Sequence, residues 1–399
     1  LSNETYIRLG PPERPEGYKE MNVVTRSKWL IGAAGGLAAT AGLTMMSVAP
    51  NALASASTPA ASATPAAIGG TVKVDTKSIL AYWTPSRRAT AINADVAVAA
   101  APRTQAIQSG TKQVTGKAGQ VAGGLPHGVT ASSLKGVRST AMIPNAFSYP
   151  FPYDSFNVPV GSYQKYPWTV NGKVFFTNDG LNYVCSATVV PSVHGSTNEN
   201  ELWTAGHCVA NTESNDGHVD SSFEFVPAYN GNKVGAAQDP LGVYTWSGAW
   251  ETTTAWLNNR DLSEDEAALL MNPNANGQIL GNVTGWAGFA WNQSTDQQFV
   301  AFGYPAASPY SGKFQVTDLG ASAVLDTGIG GAGSAPIGIG NPMTGGSSGG
   351  GWMIDWSQTG TGYVNGHNDY KYTSQPLAMY SPYQDTLSNV VRCFGASSC

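Results

Sequence analysis

Thr204-Ala205-Gly206-His207-Cys208 and Thr344-Gly345-Gly346-Ser347-Ser348-Gly349-Gly350-Gly351-Trp352 are the stretches on which the reading of this chain turns. The first delivers a histidine beside a cysteine at the end of an apolar run. The second sets serines among glycines, where the backbone can turn sharply and expose its amides. A serine hydroxyl is a weak nucleophile until a base takes its proton and donors hold the oxyanion that follows. Together the two stretches supply candidates for all three parts. Taken singly, each also has a plain structural reading, as a packed histidine and as a flexible linker. The serine-bearing run, however, leads into Trp352-Met353-Ile354, a strand-like apolar segment that a linker does not need.

Between and around these stretches, short β-branched or aromatic runs alternate with Gly, Asn, Pro and Ser turns. They are Val174–Thr177, Tyr183–Val190, Phe223–Val226, Val243–Trp246, Phe299–Phe302 and Trp352–Ile354. Many short strands with frequent turn signals predict an all-β sandwich or barrel. Asp385 is a good N-cap for a last helix running to about Arg392. The folded part begins near residue 146 and extends to 399, enough for one large or two small barrels.

Upstream the composition is different. Residues 1–20 are polar and carry Pro11, Pro12 and Pro15, and read as an upstream artefact preceding a true start at Met21. Residues 21–54 have the parts of a signal peptide: basic Arg26 and Lys28, the apolar stretch Trp29 to Val48, and Ala52-Leu53-Ala54 before Ser55. An uncleaved membrane anchor is the rival reading, and the glycines and the Ala-x-Ala site favour cleavage. Residues 55–145 are rich in Ala, Gly, Ser and Thr and are expected to be a pro-segment or linker, mostly disordered.

Charged residues make up only 12% of the chain and the formal net charge is −5, which disfavours a nucleic-acid partner and a polybasic membrane patch. The four cysteines, Cys185, Cys208, Cys393 and Cys399, allow three pairings and show no zinc spacing, and no HExxH occurs. Neither a metal nor another cofactor is expected, and the export signal makes two structural disulfides the default. The expected state is an extracellular monomer with no stable membrane association after signal cleavage.

Cys185-Ser186-Ala187-Thr188-Val189-Val190, followed by Leu202-Trp203-Thr204-Ala205-Gly206-His207-Cys208, resembles the chymotrypsin/trypsin superfamily of serine peptidases. Gly346-Ser347-Ser348-Gly349-Gly350 is similar to the family's Gly-x-Ser-Gly-Gly, and Asp265-Glu266-Ala267-Ala268-Leu269-Leu270 to its Asp-x-Ala-x-Leu segment. The order His, Asp, Ser is the family's. The texture of Phe302-Gly303-Tyr304-Pro305 and of the serine loop is closest to secreted bacterial trypsin-like and glutamyl-endopeptidase-like members.

The resemblance implies two antiparallel Greek-key β-barrels, protein or peptide substrates, and endopeptidase activity. It implies a triad of His207, Asp265 and Ser348, with the amides of Gly346 and Ser348 as oxyanion hole. It also implies a Cys185–Cys208 disulfide, which leaves Cys393 to pair with Cys399. Asp261, in Arg260-Asp261-Leu262, is the competing acid.

The position that in trypsin holds an acid for basic substrates, six residues before the nucleophile, is Pro342 here, and 337–347 contains no acid. Cleavage after Lys or Arg is therefore not expected. The resemblance points to His367, with Thr344, as receivers of an acidic side chain before the cut. Ser347 replaces the Asp that pairs with a new N-terminus in animal members, so activation of a zymogen has to rest on removing the upstream segment. Two rival functions remain. Gly346-x-Ser348-x-Gly350 also satisfies the nucleophile elbow of α/β-hydrolase esterases and lipases, although His367 follows the serine too soon. A catalytically dead, peptidase-like binding domain is the other.

Overall fold

The computed structural model describes residues 64–94, 96–107, 116–130, 148–192, 200–210, 219, 221–357, 360 and 362–396. The expectations for residues 1–20 and 21–54, and for Cys399, lie outside the described residues. No helix among the described residues is long and apolar enough to cross a membrane.

The strands, in chain order, begin with five short ones: β1 (Ala67–Thr71), β2 (Ile92–Asn93), β3 (Val96–Val98), β4 (Thr104–Ala106) and β5 (Gly119–Val121). Then follow β6 (Tyr153–Asn157), β7 (Asn171–Asn178), β8 (Leu181–Val190), β9 (Glu201–Thr204), β10 (Ser221–Pro227), β11 (Tyr244–Thr253) and β12 (Ala267–Met271). The second half holds β13 (Gly288–Trp291), β14 (Gln298–Gly303), β15 (Val316–Asp326), β16 (Ile337–Gly340), β17 (Gly351–Ile354), β18 (Tyr363–His367), β19 (Tyr370–Tyr372) and β20 (Ala378–Ser381). Among the described residues six short α-helices accompany them: α1 (Thr76–Tyr82), α2 (Pro85–Thr90), α3 (Val160–Tyr163), α4 (Thr254–Asn259), α5 (Leu280–Thr284) and α6 (Thr386–Arg392).

In the first half β11, β10, β7, β8, β9 and β12 pair in that order, and β12 pairs back onto β11, closing a six-stranded antiparallel barrel. The register is set locally. Asp179 and Gly180, with φ of 47° and 77°, form the two-residue loop that folds β7 onto β8, the type I′ hairpin that an Asp-Gly pair favours. The second half is a sheet in the order β3-β19-β20-β16-β15-β14-β17-β18-β13-β5, with β4 and β6 also on the long strand β15. Strands β18 and β20 of this sheet approach through a side chain, the His367 N–H donating to Ser381 Oγ at 2.9 Å. The sequence-expected strands fall within these elements except for Val243, which lies just before β11, and α6 is N-capped by Asp385 with a capping box completed by Ser388. Among the described residues the strands form no doubly wound parallel sheet, which removes the α/β-hydrolase reading.

Aromatic residues join the two halves. Trp203 of β9, fully buried, packs edge-on against Phe289 of β13 at 4.8 Å, and Trp168 meets both Phe302 and Trp356. Each such buried ring contributes roughly 1.5–3 kcal/mol by removal from water. Behind β19, Tyr370 and Tyr372 both donate to Asp326 Oδ2, at 2.8 and 2.6 Å, so that strand is held from below.

The expectation of a mostly disordered 55–145 is corrected for its described part. Between residues 64 and 130 the chain adds strands to the edges of both sheets, β1 on β11, β2 on β8, β3 on β19, β4 on β15 and β5 on β13. Sheet edges offer unpaired N–H and C=O groups to any extended chain, so a segment poor in core-forming residues can still be ordered by backbone bonds. Two anchors strengthen it. Trp83 is buried against Phe175 and donates from its indole to Ser222 O, and Arg88 of α2 pairs with buried Glu224 and with Asp239.

Candidate active site

His207 sits in a single 3₁₀ turn, Gly206–Cys208, directly after β9. The disulfide between Cys185 of β8 and Cys208 clips this turn to the neighbouring strand. Ser186, next in line on β8, reaches the serine loop: its N–H donates to Ser348 O at 2.7 Å and its hydroxyl to Gly346 O at 2.9 Å. Gly346 and Gly349 take φ of 91° and 80°, a left-handed backbone open to glycine. A Cβ on Gly349 would strike Thr204 Oγ1 and the Ser186 carbonyl, so only glycine lets this loop lie against the end of β9. The two stretches, remote in sequence, are thereby pressed together.

Asp265 lies just before β12, which pairs with β9, and it meets His207 twice. Its Oδ1 accepts from the His207 backbone N–H at 2.7 Å and its Oδ2 contacts ring Nδ1 at 2.8 Å. Asp261 is elsewhere, capping the Ser263 N–H and Oγ and accepting from the Ala332 N–H. His207, Asp265 and Ser348 are all buried.

A residue that sequence reasoning did not single out adjoins the pair. Asp369 Oδ1 is 3.4 Å from His207 Nδ1, and the Asp369 carboxyl makes no hydrogen bond of ordinary geometry among the described residues. Burial, and then the charge of Asp265, push the Asp369 carboxyl well above the usual carboxylate range. Burial acts on Asp265 in the same direction, but the charge and hydrogen bond of His207 prevail and hold it below its ordinary value. For His207 burial disfavours the imidazolium, yet Asp265, followed by Asp369, raises the ring to about 10. His207 and Asp265 thus favour each other's charged forms, while burial and the charge of Asp265 favour the neutral form of the Asp369 carboxyl. The only hint of Asp369 in the sequence is an acid in a strand-rich, apolar context two residues after His367.

His367 is not placed to receive a substrate. It is fully buried, its Nε2 bonds the backbone carbonyl of Asp265 at 2.9 Å, and it stacks edge-on to Trp203. Burial drives its ring down to about 4, so it stays neutral and donates from Nε2. The expectation that it receives an acidic side chain is thus corrected. Alternate residues at a strand end face opposite sides, and His367 faces the interior behind the triad. Thr344 likewise spends its hydroxyl on Ala307 O at 2.7 Å.

Asn368 takes a structural part that the sequence did not disclose. Its Nδ2 donates to Phe302 O and Ser347 O at 2.8 and 3.2 Å, while its Oδ1 accepts from Asn341 Nδ2 and Trp352 Nε1 at 3.0 and 2.9 Å. This amide, with the bonds from Ser186, ties down a serine loop that carries no cysteine.

Ser348 donates its hydroxyl proton to the backbone oxygen of Ala94 at 3.1 Å, and His207 Nε2 has no hydrogen-bond partner. Ala94 comes from the upstream segment, between β2 and β3. The serine–histidine link is therefore open in this state. Among the described residues neither the Gly346 nor the Ser348 amide donates to a protein acceptor. Among the described residues two groupings are close enough to hold a cation, Cys185–His207–Cys208 and His207–Asp265–Asp369. The first has its sulfurs in a disulfide. The second has its donors turned on one another. Cys393 is also disulfide-bonded.

No family model matches the chain, and no curated protein matches it. Among solved structures, the protease Anisep from Arthrobacter nicotinovorans is 34% identical, matching 58% of this chain and 96% of its own, with a TM-score of 0.48. The chain belongs to the chymotrypsin-like serine peptidases. Identity across nearly the whole of Anisep carries that assignment, rather than the superposition. The thermostable serine protease AL20, from an extremophilic microorganism, is 29% identical, over 60% of this chain and all of its own, with a TM-score of 0.48. A Glu endopeptidase is 17% identical over 60% of this chain and 96% of its own, with a TM-score of 0.44. As a member of this family the chain is a peptide-bond hydrolase.

Proposed function

We propose that this chain is a secreted serine endopeptidase working through an acyl-enzyme on Ser348. His207 takes the hydroxyl proton and returns it to the leaving amine, and Asp265 fixes the imidazole tautomer and stabilises the imidazolium. The amides of Gly346 and Ser348 hold the oxyanion, a donor of this kind being worth about 2.7–4 kcal/mol. The observation that carries this reading is the double contact of Asp265 with His207, made on the strand against which the Ser348 loop is pressed. Secretion is supported by the Cys185–Cys208 disulfide together with the signal-like residues 21–54. The segment up to about residue 145 is read as a pro-segment.

Specificity follows from charge. Lys371 of β19 donates from its ammonium to Asn341 O at 2.8 Å, immediately before Pro342. A cation, where trypsin carries an acid, disfavours substrates with Lys or Arg before the cut. The test is hydrolysis of casein and of peptides carrying Phe, Glu or Arg at that position, by the chain and by its Ser348→Ala variant. The reading expects the variant to be inert and Arg to be the poorest residue. Equal hydrolysis by the variant ends the peptidase reading, and a preference for Arg ends the pocket reading alone.

A further inference from the structure

The pairing of residues 92–98 points to a second function in the same chain. Ile92–Asn93 runs parallel to β8 at Tyr183 and Val184, and the Ala94 N–H donates to Val184 O at 3.2 Å. Val96–Val98 then runs parallel to Tyr370–Tyr372, with the Thr373 N–H donating to Val98 O at 3.0 Å. Between these two pairings the Ala94 oxygen takes the Ser348 hydroxyl proton. The segment thus crosses the nucleophile from the first half of the molecule to the second, in the same direction as both flanking strands. A chain laid the other way would pair antiparallel to both and exchange the places of its N–H and C=O groups.

Cleavage needs a carbonyl carbon facing Ser348 Oγ and its oxygen on the Gly346 and Ser348 amides. Here the oxygen itself faces Oγ, and among the described residues those amides donate to no protein acceptor. The base is defeated by the same contact, because the Ser348 hydroxyl hydrogen-bonds to the Ala94 oxygen and His207 Nε2 is left without a partner. The segment is also firmly held. The Arg88 pairs with Glu224 and Asp239, the buried Trp83 and the β1–β11 pairing all lie on its upstream side.

We propose that the upstream segment is a built-in peptidase inhibitor whose strands β2 and β3, with Ala94, lie along the cleft in the reverse of a cleavable chain's direction, and so block Ser348 without being cut by it. This rests on the reading of Ser348 as the nucleophile. What the cleft accepts in this mode is an extended polypeptide with small or β-branched residues, as in Ile92, Ala94, Val96 and Val98.

The experiment uses the full chain, its Ser348→Ala variant, and an Ala94→Pro variant that lacks the donor to Val184. Casein hydrolysis is measured before and after limited proteolysis of the upstream segment, with loss of residues 64–130 from the enzyme confirmed by mass spectrometry, which also follows the bonds within 92–98 over days. A synthetic peptide of residues 83–99 is then added back to the proteolysed enzyme. The full chain should be at least about tenfold slower than the proteolysed one, and Ala94→Pro should recover about a tenfold increase, the scale of one lost hydrogen bond. The added peptide should inhibit and survive, and no Ser348-dependent cut should fall within 92–98. Should Ala94→Pro fail to fold, the wild-type comparison before and after proteolysis decides alone. Ser348-dependent scission within 92–98 at the casein rate, or equal activity before and after proteolysis, overturns the proposal. If no form hydrolyses casein, the peptidase reading itself has failed, and the inhibitor falls with it.

Discussion

At the scale of single residues the site is a balance of charges out of reach of water. Asp265 does two jobs for His207, accepting its backbone N–H and its ring Nδ1. Once the upstream segment is removed, Asp265→Asn should lower kcat about 10⁴-fold, because an amide favours the wrong imidazole tautomer. Peptide hydrolysis with stopped-assay kinetics checks it, and a loss below tenfold would say that another group orients the ring. Asp369 gives a sharper case. If its carboxyl is held protonated by burial and by Asp265, Asp369→Asn replaces one neutral group with another. The substitution should then change stability by less than about 1 kcal/mol. A fall several times larger in thermal unfolding at pH 7 would show that the carboxyl is charged in the fold.

At the scale of elements, the serine loop and the upstream segment are both held by features that composition hides. Asn368 satisfies four partners from three parts of the chain. Asn368→Ala would take their acceptor from the buried Trp352 indole and Asn341 amide, and a donor from the Phe302 and Ser347 carbonyls, at about 1–3 kcal/mol for each group left unsatisfied. Urea unfolding should show the loss, and a change within a few tenths of a kcal/mol would deny Asn368 this role. Much of the element-level plan was readable in advance, because periodicity and turn residues act locally. Val174–Thr177 and Tyr183–Val190 became β7 and β8 around Asp179-Gly180, and Asp385 capped α6. The upstream strands were not readable. Gly119–Val121 and Ile92–Asn93 have no pattern of their own, and the bonds that order them come from sheet edges far along the chain. His367 was misjudged because a motif gives a neighbourhood, while the face toward which a side chain points depends on register.

Across the whole molecule, several carboxyls lie in places that favour their neutral form. Burial raises Glu251 to about 7 and Glu264 to about 8, and pushes Glu266 and Asp318 well above the ordinary range. Because their folded values exceed their unfolded ones, each contributes stability fully present below about pH 4.5 and lost as pH rises through the folded value. His207, raised to about 10, has the same sign, with its contribution complete below about pH 6.5. Lys173 and His367 oppose them: burial lowers Lys173 to about 7 and His367 to about 4, so their cost is felt as pH falls toward those values. The carboxyls outnumber them, and the urea midpoint should therefore be higher at pH 5.5 than at pH 8.5. A midpoint that rises with pH over that interval would contradict these burial effects. The order His, Asp, Ser and the barrel strands were legible because they rest on residues that sequence displays. The closed state of the site was not, since Ala94 enters it through a backbone oxygen that any residue could supply.

The central claim is that Ser348 is a nucleophile made competent by His207, and covalent labelling tests it most directly. A fluorophosphonate should be added to the chain after limited proteolysis of the upstream segment, and the modified peptide mapped by mass spectrometry. The account predicts near-stoichiometric modification at Ser348, strongly reduced in His207→Ala and far slower on the intact chain. Modification at another serine, or at Ser348 with no dependence on His207, would contradict it.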